Sequence, residues 1–86
     1  MEHTFKLEKP GDVTATFQRL KQKIAKAKGK LIGNENEGFI SIEGVEGNYI
    51  VEKDCVKITV TRKPAPIIPN KLIEKQIRSM FREVSG

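Results

Sequence analysis

Apolar residues change their spacing three times along this chain, and those switches restrict its possible folds more than any other feature. Thr4-Phe5-Lys6-Leu7-Glu8 alternates with period two, the pattern of a half-buried strand with Phe5 and Leu7 inward, and Pro10-Gly11 ends it. Val13, Phe17, Leu20, Ile24 and Ala27 then recur at three- and four-residue intervals, the stripe of an amphipathic helix. Asp12 stands at its N-cap position, and Gly29 is placed as the residue that ends it. From Lys30 to Arg62 period two returns, through Leu31-Ile32, Phe39 to Glu43, Asn48 to Lys53 and Val56 to Thr61. Gly33 to Gly38, Gly44-Val45-Glu46-Gly47 and the region of Asp54 read as the turns between these strands. Pro64, Pro66 and Pro69 have no N–H for a sheet ladder, so they stop the last strand and force an extended linker, whose Ile67 and Ile68 are expected to anchor to the core. Asn70 reads as the cap of a final helix whose apolar face holds Leu72, Ile73, Ile77, Met80, Phe81 and Val84, with Glu74 and Arg78 one turn apart for an ion pair.

The order is therefore β-α-β-β-β-β-α, an α+β fold. A helix with one apolar stripe must bury it, and an antiparallel sheet can be covered on one face and solvated on the other. Both helices are expected on the same face of an antiparallel meander, over a core of Phe17, Leu20, Ile24, Ile40, Ile42, Val56, Ile58, Val60, Ile73, Ile77 and Phe81. Residues 1–86 are read as one small domain, because a chain of this length supplies a single core. One strand resists simple alternation: Tyr49, Ile50 and Val51 are apolar in succession and cannot all point inward. Either Ile50 or the pair Tyr49 and Val51 faces away from the helices, on the side where Phe39 also lies.

The charges are segregated. The 86 residues carry a net charge of +5, but the stretch from Ala15 to Gly33 has Arg19, Lys21, Lys23, Lys26, Lys28 and Lys30 without an acid. The turns around Glu35, Glu37, Glu43, Glu46, Glu52 and Asp54 are acidic. On a helical wheel Arg19, Lys23, Lys26 and Lys30 share one solvent-facing sector roughly 110° from the centre of the apolar stripe, and Lys71, Lys75, Arg78 and Arg82 share another beside the apolar face of the last helix; with the helices side by side the two are expected to converge. These eight cations are the candidate surface for a polyanion such as nucleic acid, because each neutralised phosphate releases counterions. The alternative class is a protein-interaction or self-association module using the back of the sheet, around Phe39, Tyr49 and Val51.

Catalytic chemistry finds little material. The chain has one Cys and one His, Cys55 and His3, and the turn carboxylates have no His beside them to complete a metal or acid/base set. Gly44-Val45-Glu46-Gly47 has the GxxG form that clamps an RNA backbone in one fold, but there it joins helices and carries cations, and here it joins strands and carries Glu. A non-enzymatic protein without catalytic residues, metal or cofactor is expected. A lone cysteine favours a reducing compartment, and no stretch approaches the ~18 apolar residues of a membrane span, so a cytoplasmic location is expected.

Gly38-Phe39-Ile40-Ser41-Ile42-Glu43-Gly44-Val45-Glu46-Gly47-Asn48-Tyr49-Ile50-Val51, then Val56-Lys57-Ile58-Thr59-Val60, then a linker and Leu72-Ile73-Glu74-Lys75-Gln76-Ile77-Arg78 resemble a family of small bacterial proteins of the polyhydroxyalkanoate granule system. The resemblance covers about two thirds of the chain. It implies the same succession of strands and helices, and a granule role on similarity alone. The run of helix, three main strands and helix also looks like the double-stranded RNA-binding domain in topology. Where that family has a Lys cluster with small residues, Asn70-Lys71-Leu72-Ile73-Glu74-Lys75 carries two Lys, a Glu and bulky aliphatics.

Overall fold

The computed structural model describes residues 2–85. Its elements follow the expected order: β1 (His3–Glu8), α1 (Val13–Lys26), β2 (Lys30–Gly33), β3 (Glu37–Ile42), β4 (Val45–Val51), β5 (Cys55–Arg62) and α2 (Asn70–Ser85). The five strands form one sheet in the order β1-β5-β4-β3-β2, antiparallel at every pairing. β1 therefore joins at the edge beyond β5, and β4 is the middle strand. Both helices cover the same face. Their buried residues Phe17, Leu20, Ile24, Ile73, Phe81 and Val84 form one core with Phe5, Leu7, Leu31, Val45, Tyr49, Val56, Ile58 and Val60 from the sheet. Ile40, Ile42 and Ile77 lie at its margin, packed against it but only partly buried.

Local chemistry explains the ends of α1. The Asp12 carboxylate accepts a hydrogen bond from the Ala15 amide at 3.0 Å, satisfying one of the free N–H groups of the first turn. At the other end Lys28 N–H donates to Ala25 and Gly29 N–H to Ile24, the two bonds of a Schellman motif. The left-handed residue of that motif is Lys28, at φ 64°, and not Gly29. Gly29 is required for a different reason: a Cβ there would lie 2.4 Å from the Ser41 carbonyl and 2.8 Å from Ile24.

The β3–β4 turn is also shorter than the glycines imply. Ile42 pairs with Val45, and only Glu43 and Gly44, both at positive φ (52° and 83°), lie between them. This is the two-residue arrangement of a type I′ hairpin, whose backbone twist matches that of the strands. Gly47 is consequently a ladder residue, opposite Ile40 and Val60, beside the register shift at Glu46/Gly47. α2 opens one residue earlier than a cap at Asn70 would set: the Pro69 carbonyl accepts from Leu72 and Ile73, and Asn70 is already helical. In the linker Ile68 packs against the core while Ile67 is 88% exposed, so only one of the two isoleucines anchors it. The Thr16 hydroxyl is buried without a hydrogen-bond partner among the described residues, a mismatch that costs about 1–3 kcal/mol.

Candidate functional site

The helical layer holds the chain's net positive charge, although half of its 16 cations lie outside it. α1 carries four cations and no acid, and α2 four cations and two acids. The helices therefore sum to +6 in a chain of +5, which leaves the remainder of the molecule at −1. The helices run antiparallel side by side, as two contacts and a shared groove along their seam show. Arg19 Nε donates to the Val84 carbonyl at 2.6 Å, Lys23 pairs with Glu83, and Lys26 lies in a groove shared with Gln76 and Ser79.

Those contacts redistribute the eight cations. Arg19 caps a carbonyl near the C-terminus of α2, where a cation also complements the negative end of the helix dipole. Lys23 is ion-paired, and Lys26 stays exposed without an ion-pair partner among the described residues. Lys30 does not belong to the helix: α1 ends at Lys26, and alternation in β2 puts Lys30 on the open face with Ile32, opposite inward Leu31. On α2, Lys71, Lys75 and Arg82 are exposed and free of ion pairs among the described residues. Arg78 is held between Glu74, at 2.9 Å, and the face of Phe5, 5.3 Å from the ring centroid. The α2 row thus borders β1 whereas the α1 row faces α2, so the two do not merge into one eight-cation surface.

Glu74 is the junction of the β1 side. Its carboxylate lies 3.0 Å from His3 Nε2 as well as 2.9 Å from Arg78 Nε. These hydrogen bonds, His3 first and Arg78 second, hold its pKa below the ordinary carboxylate range. A depressed folded-state pKa gives stability that is present above the unfolded value of about 4.3 and is lost as pH falls through the lower folded value. Glu74→Gln is therefore expected to lower the urea midpoint at neutral pH and to converge with the parent protein in acid. A gap that stays constant down to about pH 2 would refute this coupling.

The back-face set separates. Tyr49 is 1% exposed and points into the core, its ring stacked on Phe17 at 4.6 Å between centroids. Val51, two residues on, lies on the same side and packs against the core. Ile50 is the residue of the three that faces away, 45% exposed. Phe39 does lie on that open face, between Ile32 and Asn48 in the ladder. The patch is therefore Ile32, Phe39 and Ile50, and Ile32 at 62% exposure is a member that the brevity of β2 concealed.

Between the C-terminal half of α1, α2 and the linker lies an open groove of about 780 Å³. Its floor is Ile42, Val45, Ile73, Ile77 and Met80, and its rim carries both signs, Lys23 and Lys26 against Glu43 and Glu83. Such a rim offers no net field to a charged ligand. Elsewhere Cys55 donates to Glu52 at 3.3 Å, and partial burial followed by that carboxylate pushes its pKa up, away from the reactive thiolate. Among the described residues no group of three or more His, Cys, Asp or Glu side chains is placed to hold a metal ion, and no helix is long and apolar enough to cross a membrane. No family model, curated protein or solved structure matches the chain.

Proposed function

We propose that this is a non-enzymatic binding domain that takes the phosphate backbone of nucleic acid on its helical layer. One observation carries the reading: the two helices share one face and bear net +6, while the sheet and turns are slightly acidic. The contacts fall to the cations that the fold leaves free, Lys71, Lys75 and Arg82 along α2 and Lys26 on α1, rather than to all eight. On α2 Lys75 lies one turn beyond Lys71, and Arg82 about 10 Å further on, a spacing that lets a single backbone be tracked along the helix. Neither row is interleaved with aromatics, so base stacking adds nothing and recognition is independent of sequence. A cytoplasmic location suits that partner and the single cysteine. The resemblance to the granule-system family names no ligand for these cations.

Titration of duplex DNA across salt tests the reading. With three or four phosphates neutralised, log K against log salt should fall with a slope of about −3, and Lys75→Ala should flatten it by about one unit. Lys6→Ala, on the opposite face, should leave it unchanged. Absence of binding at low salt, an equal effect of Lys6→Ala, or binding confined to anionic vesicles would each overturn the proposal.

A further inference from the structure

The ladder registers place the outward side chains of the sheet in rows that cross all its strands. One row runs Lys6, Lys57, Ile50, Glu37 over β1, β5, β4 and β3. The next runs Thr4, Thr59, Asn48, Phe39, Ile32 over β1, β5, β4, β3 and β2. In both, β4 is the centre and the two sides are chemically unlike. Cations and threonines lie toward β1, and a carboxylate and large apolar side chains lie toward β2.

We propose that the protein forms a two-fold dimer through this open face, with Glu37 of each copy meeting Lys57 of the other across paired Ile50 side chains. A two-fold axis along β4 lays β5 of one copy over β3 of the second. It superposes unlike on unlike: Lys57 on Glu37, Thr59 on Phe39, Thr4 on Ile32. Two facing sheets pack about 10 Å apart with strands within about 30° of alignment, which keeps these rows in register near the centre.

Three details of the monomer fit this occupant. Lys6 and Lys57 are direct cross-strand partners, a like-charge pair that disfavours the isolated sheet and that a carboxylate from a second copy relieves. The Thr4 and Thr59 hydroxyls bond each other at 3.1 Å, so one of their two donors is already satisfied where this surface meets apolar groups. Ile32 and Ile50 are both substantially exposed beside Phe39. Glu46, also outward on β4, would approach its own copy, and Arg62 directly across the ladder supplies the opposite charge. The flat face measures roughly 400 Å² from strand spacing and rise, at the small end for specific interfaces, so the dimer is of the weak, concentration-dependent kind.

Sedimentation of the full chain from micromolar to about 1 mM reads the equilibrium. Glu37→Lys and Lys57→Glu should each weaken dimerisation by roughly tenfold or more through like-charge juxtaposition, and the double reversal should restore it. Ile50→Lys should leave only monomer, with circular dichroism reporting an intact fold at this exposed site. A parent protein that stays monomeric throughout, or a double reversal no better than the single changes, would overturn the proposal. Because the helices point away from this face, neither result alters the expected behaviour of the helix variants toward DNA.

Discussion

Replacing Phe17 with alanine is expected to remove about 3–5 kcal/mol of stability, a large share of the roughly 5–15 kcal/mol that a small domain possesses. Phe17 is 6% exposed, stacks on Tyr49 and meets the edge of Phe81 with centroids 5.5 Å apart. One ring from α1 thus contacts the middle strand and the second helix at once. Such aromatic pairs contribute beyond their buried area, and the space left by alanine borders three elements that cannot all close on it. Urea unfolding followed by Tyr49 fluorescence measures the loss. A change under 0.5 kcal/mol would mean that α1 presents a different face to the sheet.

Gly38→Ala should cost about 2–4 kcal/mol, as overpacking and a lost hydrogen bond combine. Gly38 pairs with Gly33 on one side and Tyr49 on the other. A Cβ at Gly38 would sit 2.6 Å from the Tyr49 hydroxyl, 2.7 Å from its ring and 2.5 Å from the Ile32 carbonyl. The tyrosine ring crosses the sheet over two residues without side chains, and its hydroxyl donates to the Asn34 carbonyl at 2.7 Å. Burial pushes the pKa of that hydroxyl up, so it remains a donor through the neutral range. A methyl group must displace either the ring or the backbone. The melting temperature should fall by roughly 10–20 °C, and a drop under about 4 °C would show that Tyr49 swings aside freely.

Tyr49 also marks where sequence reading stops. The three switches between period two and 3.6 place every element, because core-facing positions repeat with the geometry of the backbone. Tyr49-Ile50-Val51 has no such contrast, and its direction is set by Gly33 and Gly38 on neighbouring strands, which make room for a ring on the core side. The β3–β4 turn misleads for a related reason. Gly44 and Gly47 look alike in sequence, yet one supplies positive φ and the other allows close approach of β5, where a Cβ would meet the Thr59 carbonyl at 2.6 Å. Lys28 in a left-handed conformation is equally unmarked, since glycine is the residue that position favours.

Apart from Lys30, which belongs to β2, the cation rows were legible on each helix and illegible between helices. A wheel gives an angle about one axis and says nothing of which neighbour lies there. Arg19 and Lys23 sit to the side of the apolar stripe, and that side happens to face α2, where Val84 and Glu83 engage them. The acid Glu83 that neutralises Lys23 lies 60 residues away in the chain, beyond any local pattern.

The strand order also fixes a timetable for synthesis. β1 pairs only with β5, so the last element of the sheet to be made completes the pairing of the first. At about 5–20 residues per second, several seconds separate the two on the ribosome. During that interval Phe5 and Leu7 have no strand to lie against, and Lys6, Glu8 and Lys9 interrupt them with charge. Charged residues so placed hold a solitary apolar strand apart from other nascent chains, which makes them guards of assembly as well as surface.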